Sequence, residues 1–480
     1  MSDYLLPVLP IAALVCGLTI AMITIAVRRS HRATCCIALG AIAAAGGCLA
    51  RLALSAPVQG GLLFVADGFA VFYAALVLGA GAAVAILAYG YLEGRSVRPE
   101  EFYLLLLGAL AGALALVGAC HFASFFLGLE TLSVSLYGLI AYPRSDVRQT
   151  EGAIKYLVLS GASSALLLYG MALVYGVTGT MAFPALFQAL GHAAGGQAAA
   201  GAGMALIVIG VGFKLGVVPF HMWTPDVYEG APAPVTAFIA TASKGAVFAL
   251  VMRYFSGSAL SGLPHIFAAF GVVAVASMLI GNLLALFQKN VKRLLAYSSI
   301  AHFGYLLVAF MSPGPYRTAA VTFYLVAYFV TVLGAFSVMT VLSGKERDAD
   351  RMEDYQGLFY RRPYLAGAFV LQLLSLAGMP LTAGFIGKVY VVAAGVDAAL
   401  RLPVAALIAG SGISLFYYLR VIAALFRRPA DAPAAQPPAV PPGPLGARIM
   451  TAALFVLLVW WGIYPGPILA VIALIKPGSP

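Results

Sequence analysis

The chain has 480 residues, of which 62% are hydrophobic and 9% charged, and its formal net charge is +11 at pH 7. Soluble domains carry roughly 25% charged residues, so a soluble globule is excluded, and an excess of Lys and Arg in so apolar a chain bears on membrane topology before nucleic acid. At about 20 apolar residues per span, the length holds about fourteen helices, which predicts an all-α membrane protein with one polytopic domain over residues 1–480.

In chain order, the apolar runs predict spans near 5–27, 33–53, 69–92, 103–119, 121–142, 153–178, 200–219, 233–255, 264–287, 292–311, 318–343, 363–396, 403–426 and 447–475. The first run lacks both a basic segment before it and a small-residue cleavage site after it, so it reads as a retained helix and not a signal peptide. With the N-terminus outside, nineteen of the 28 Lys and Arg fall on inner loops and five on outer ones, while Lys155, Lys214, Lys244 and Lys388 remain within spans. This asymmetry predicts a bacterial inner-membrane protein with both termini on the periplasmic side. The Pro/Ala-rich stretch 429–446 reads as a flexible loop before the last span. Cys16, Cys35, Cys36, Cys48 and Cys120 lack paired C-x-x-C spacing, so they read as small packing residues and imply no metal centre.

A weak internal repeat appears at an offset of 168 residues, where Gly128–Leu139 falls on Ala296–Leu307 and Tyr156–Val158 on Tyr324–Val326. The offset crosses five spans, an odd number, so the copies would be inverted in the membrane, as in many transporters. The expected repeat units are 103–255 and 264–426. Two spans look interrupted in corresponding places, the seventh by Pro219 and the twelfth by Gly378, Pro380 and Gly384. Proline removes a backbone hydrogen bond and clashes with the preceding turn, and irregular backbone at membrane depth needs protein or a hydrated pocket around it.

Charges inside the bilayer need a reason, since each costs about 2.5 to 3.5 kcal/mol at a helix centre on insertion scales. Glu130, Lys214, Lys244 and Lys388 lie in mid-span and Lys155 near a span's inner end. One reading is a structural ion pair with snorkelling lysines. The other is a proton path: desolvation disfavours the ammonium and a nearby carboxylate favours it, so membrane lysines can exchange protons. In that reading Glu130 modulates Lys214, whose proton passes through Lys244 to Lys388. His221, after the break in the seventh span, and His302, within the tenth, are further candidate carriers; the alternative for each is a hydrogen bond to a neighbouring helix.

The run Phe213–Lys244, FKLGVVPFHMWTPDVYEGAPAPVTAFIATASK, resembles the antiporter-like subunits of the proton-pumping NADH:quinone oxidoreductase, respiratory complex I, and the VYEGAPAPV and ATASK segments resemble subunit N in particular. GLETLSVSLYGLIAY around Glu130, EGAIKYL around Lys155, NVKRLLAYSSIAHFGY around His302 and GMPLTAGFIGK ending at Lys388 extend the resemblance over nearly the whole chain. It implies fourteen spans with two inverted five-helix repeats, Glu130 and Lys214 as the pair of a first half-channel, Lys244 as a bridging lysine, and Lys388 as the terminal site of a second. It also implies that FMN, iron–sulfur clusters and NADH belong to partner subunits, that quinone is met only through the complex, and that this chain's partners are other membrane subunits, the lipid bilayer and protons. No dinucleotide fingerprint or cysteine cluster stands in the sequence, consistent with redox chemistry elsewhere. The related multi-subunit sodium/proton antiporters are the alternative; a scaffold without transport and a metabolite transporter fit the lysines less well.

Overall fold

The computed structural model describes residues 5–55, 57–95, 97–142, 147–192, 196–255, 264–312, 316–427 and 444–475. Among them, thirteen helices are long and apolar enough to cross a membrane: α1 (Leu6–Val27), α2 (His31–Ser55), α3 (Gly68–Leu92), α4 (Glu100–Gly118), α5 (Phe122–Ile140), α6 (Val147–Thr178), α8 (Gln197–Leu215), α10 (Ala233–Tyr254), α11 (Pro264–Leu286), α12 (Val291–Met311), α13 (Tyr316–Leu342), α16 (Arg401–Phe426) and α17 (Leu445–Ile463). The expected twelfth span is instead two shorter helices, α14 (Pro363–Ala377) and α15 (Ala383–Asp397). Most of the Pro/Ala-rich loop expected at 429–446 lies outside the described residues.

Several expectations need correction. The seventh span does not run to 219: α8 ends at Leu215, and a separate helix α9 (Trp223–Gly230) follows the break. The sixth begins at 147 instead of 153. The last run is not one helix, because Pro465 ends it: α17 stops at Ile463 and a short α18 (Gly466–Ala473) follows, as the backbone before a proline resists the helical region. The apolar runs do not signal a short helix α7 (Phe183–His192), nor a two-stranded hairpin of β1 (Val58–Gly60) and β2 (Phe64–Ala66), paired antiparallel.

The helices form a bundle whose centre is easily identified. The apolar windows of α10 and α12 are fully buried and α13 nearly so, whereas α1 and α17 turn most of their surface outward. Helices buried all round must satisfy every polar group from their neighbours, so Lys244 on α10 and His302 on α12 are internal by architecture. Helix starts are fixed by side-chain caps: Asp67 Oδ1 accepts from Ala70 N at 2.7 Å for α3, Asn290 from Arg293 N at 3.1 Å for α12, and Thr382 from Phe385 N at 3.4 Å for α15. Each satisfies an otherwise open N–H of the first turn.

On the face richer in basic loops, the buried carboxylate of Asp348, in the loop after α13, gathers four donors. It accepts from Lys292 Nζ at 2.5 Å, Tyr91 OH at 2.6 Å, Arg95 Nη2 at 3.3 Å and Ala233 N at 3.0 Å, so it ties the ends of α3, α10 and α12 together. Burial pushes the Asp348 carboxyl up, but the Lys292 ammonium, the Tyr91 hydroxyl and the Arg95 guanidinium outweigh it and hold the carboxyl below the usual carboxylate range. A carboxyl whose folded pKa is depressed contributes stability above its unfolded pKa of about 3.9 and loses it as the pH falls through the folded value. Thermal unfolding followed from pH 7 downward is therefore expected to show a loss of stability below about pH 4 that Asp348→Asn removes in part, with the variant less stable than the parent at pH 7. Identical curves for the two would contradict this role.

Candidate functional site

Both helix breaks are built in the same way. At the first, Gly216 adopts φ 69° and the backbone closes with Gly216 N→Phe213 O at 2.9 Å and Val217 N→Gly212 O at 3.1 Å. At the second, Gly378 adopts φ 83°, with Gly378 N→Ser375 O at 3.0 Å and Met379 N→Leu374 O at 2.9 Å. This is the glycine-terminated helix end, where the left-handed residue lets the last carbonyls find donors. Pro219 follows Gly216 by three positions and Pro380 follows Gly378 by two, and each proline, lacking an N–H, keeps the preceding helix from continuing. A Cβ added to Gly216 would lie 3.2 Å from Lys244 Nζ, and one added to Gly378 would lie 3.2 Å from Lys388 Nζ. Each break thus brings bare backbone against an ammonium group.

The three mid-span lysines are all buried, and none has an ion-pair partner among the described residues. Lys214, in the last turn of α8, donates to Ser133 Oγ at 2.7 Å and Ser160 Oγ at 2.6 Å. Glu130 does not touch it directly; its Oε1 accepts from Ser164 Oγ at 2.5 Å, and Ser160 and Ser164 stand one turn apart on α6. Serine hydroxyls thus stand beside both groups. Tyr137 OH also donates to Ser160, at 2.9 Å.

Lys244 is sealed at 0% exposure and donates to Ser299 Oγ at 3.0 Å. It lies over the rings of Phe303, Tyr228 and Trp223 at 5.2, 5.4 and 5.8 Å, faces whose negative quadrupoles attract a cation. Immediately before it, α10 loosens into a π-helical turn over Ile239–Ser243, a defect that frequently marks functional positions. Ser299 also receives Tyr328 OH at 2.9 Å, and the Tyr328 ring lies 5.4 Å from that of His302.

His302 faces hydroxyls from two sides, Tyr324 OH at 2.7 Å on Nδ1 and Tyr418 OH at 3.5 Å on Nε2; Tyr418 in turn bonds Ser298. Lys388, one turn into α15, donates to Ala377 O at 2.9 Å and lies 5.3 Å over the Tyr305 ring, which meets His302 edge-on at 5.4 Å. Lys244, Ser299, Tyr328, His302, Tyr305 and Lys388 therefore form one contiguous set of neighbours. The remaining two expected residues are placed elsewhere. Lys155 is half-buried on the basic-rich face, paired with Glu151 at 2.7 Å and Asp226 at 2.8 Å, in a cluster that Arg293 extends to Asp226 and Glu229. His221 is buried in the turn between α8 and α9, with no protein partner for Nδ1 among the described residues.

Sequence reasoning missed the buried pair Asp67–Arg253. Arg253 Nη1 and Nη2 reach both carboxylate oxygens, at 3.0 and 2.8 Å. Asp67 carries one signal, an acidic residue just ahead of an apolar run, the mark of an N-cap; its partner 186 positions away carries none.

Residues 119–414 match the family model described as NADH:quinone oxidoreductase/Mrp antiporter, TM. The chain is 45% identical over 479 residues to the NADH-quinone oxidoreductase subunit N of Ectopseudomonas mendocina, covering 98% of this chain and 96% of that one. To the subunit N of Methylococcus capsulatus it is 44% identical over 472 residues, covering 98% and 94%. Among solved structures, a chain of respiratory complex I from Thermus thermophilus with bound aureothin matches with TM-score 0.82 and 32% identity, covering 97% of this chain and 100% of that one. A chain of the Mrp complex from Dietzia sp. matches with TM-score 0.84 at 22% identity, covering 99% and 97%, a likeness of fold alone. With such identity across nearly its full length, the chain belongs to the subunit N family of NADH-quinone oxidoreductases.

Proposed function

We propose that Glu130, Lys214, Lys244, His302 and Lys388 carry the protons that this chain, a proton-translocating membrane subunit of a NADH:quinone oxidoreductase, moves across the membrane. The observation behind the reading is the arrangement of three buried lysines whose hydrogen-bond partners are hydroxyls and a backbone carbonyl. A lysine locked to a carboxylate stays charged, whereas one held by neutral groups can lose and regain its proton as a neighbouring charge changes. Glu130, bonded to Ser164 one turn from the Ser160 that holds Lys214, supplies such a neighbour.

In this reading Lys214 and Glu130 form the first half of the path, Lys244 bridges, and the chain of hydroxyls and imidazole from Ser299 to His302 leads to Lys388. The charged cluster of Lys155, Asp226 and Arg293 is a receiving surface on the basic-rich face, and His221 an auxiliary carrier at the first break. The segments 103–255 and 264–426 are the two inverted units, each with one glycine-terminated break. Other membrane subunits of the complex surround the chain, the redox step with its FMN, iron–sulfur clusters and NADH takes place in partner subunits, and the electron flow they support drives the translocase. Quinone is met only through the complex. The basic-rich face is the cytoplasmic side of the inner membrane, and both termini lie on the periplasmic side. A sodium/proton antiporter subunit is the second reading, supported by fold at 22% identity and not by near-full-length relatives.

The test is proton pumping by the assembled complex carrying Lys214→Met or Lys388→Met, with NADH oxidation measured in parallel. Each variant is expected to pump fewer protons per electron than the parent. Parent-level pumping by both would sink the proposal.

A further inference from the structure

Among the described residues, a buried side chain outside the proton path has both of its polar atoms unpartnered. Gln372, on α14, is 1% exposed, and neither its Oε1 nor its Nε2 has a hydrogen-bond partner among the described residues. A carboxamide offers two donors and a two-lone-pair acceptor, and leaving them unmet costs about 1–3 kcal/mol or more in an apolar interior. A leucine or methionine would fill the same space without that cost.

The setting says what Gln372 serves. Its carboxamide lies flat against Gly334 of α13, where an added Cβ would collide with Nε2 and come within 2.9 Å of Oε1. On either side of Gly334 along α13 stand buried hydroxyls at intervals of three residues. Toward the second break, Thr331 Oγ1 and Ser375 Oγ are 3.1 Å apart, and Ser375 Oγ accepts from Gly384 N at 3.1 Å, one turn before Lys388 on α15. Toward the basic-rich face, Thr451 Oγ1 of α17 donates to Ser337 Oγ at 3.1 Å. Beyond it Thr340 lines an open cavity of about 910 Å³ whose walls include Asp348, Lys345, Arg347 and Ala447. From Thr331 to Thr340 the row covers about 13 Å at 1.5 Å rise per residue.

We infer that a water-filled crevice runs between α13, α14 and α17, with Gln372 as its central ligand, and connects the cavity on the basic-rich face to Lys388. The inference rests on the proposed role of Lys388. Gln372 sits at the gap in the row of hydroxyls, where Gly334 has no side chain to continue it, and a water needs two to four polar partners to be held in a protein interior. The carboxamide donates and accepts at once, so it can hold water on both sides without itself becoming charged, and the water passes the proton. Lys388 then has access to the basic-rich face of its own, independent of Lys244.

The experiment has two readouts in the assembled complex in membrane vesicles. Gln372→Cys is exposed to 2-aminoethyl methanethiosulfonate from the basic-rich face, with Leu373→Cys, equally buried on the same helix, as the dry control and the native cysteines as background. The Gln372→Cys thiol is expected to react about tenfold faster than the Leu373→Cys thiol or more, as a hydrated site requires. In parallel, Gln372→Met, which keeps volume but no polar atom, is expected to pump fewer protons per electron, and Gln372→Asn to retain most of the parent ratio. Labelling no faster than at Leu373→Cys, or parent-level pumping by Gln372→Met, overturns the route. Failure of the underlying reading looks different: Lys388→Met itself would then pump normally, while labelling still decides whether the crevice is wet.

Discussion

Lys244→Met in the assembled complex is expected to cut proton pumping by about tenfold or more, the equivalent of at least about 1.4 kcal/mol on the limiting barrier, without loss of assembly. Methionine has nearly the length of the lysine stem and fills the same fully buried site. The partner left behind is not orphaned, because Ser299 Oγ still receives Tyr328 OH at 2.9 Å and Tyr228 OH at 3.2 Å. Exchanging a buried charge for an apolar group of like volume is neutral or stabilising in many proteins, so a pumping defect with intact assembly isolates the proton-carrying role. Lys244→Arg separates charge from proton exchange, since guanidinium stays charged throughout; it is expected to fail as methionine does. Pumping is measured as proton uptake per NADH oxidised, and a fully active Lys244→Arg would mean that the fixed charge, not its exchange, matters.

The second large effect concerns stability. Arg253→Leu is expected to destabilise the protein by about 3–5 kcal/mol, the cost of stranding one member of a buried ion pair. Arg253 joins α10 to the start of α3 through both oxygens of Asp67 and adds Nε→Val117 O at 3.3 Å, and it lies 5.0 Å over the Phe69 ring. Asp67 also caps α3, so replacing both residues calls for Ser at 67, which keeps the cap. The double variant Arg253→Leu/Asp67→Ser is expected to be more stable than Arg253→Leu alone, because no buried carboxylate is left without its cation. Thermal unfolding of the solubilised complex measures both. A single variant as stable as the parent would contradict a structural role for the pair.

The spans are legible in the sequence because a bilayer imposes length and apolarity on each of them, and proline and glycine within apolar runs mark the two breaks. The position of the first break is off by a few residues when read from its proline: the helices stop at Gly216 and Gly378, since glycine takes the left-handed cap, and the prolines only follow. The seven expected site residues stand out as polar groups where none is cheap. What joins them does not. The serines beside Glu130 and Lys214 and the tyrosines around His302 are ordinary helix residues until packing brings them together. The π turn over Ile239–Ser243 has neither proline nor glycine to announce it, and Gln372 sits in an apolar run that reads as plain span. Asp67 and Arg253 meet only in three dimensions.

The central claim is that the buried lysines exchange protons that the complex delivers across the membrane. Its most direct test is the proton-to-electron ratio of the complex reconstituted in sealed vesicles with Lys214→Met, Lys244→Met and Lys388→Met combined in this chain, its assembly verified. The expected result is a ratio below that of the parent; an unchanged ratio in a fully assembled complex would contradict the account.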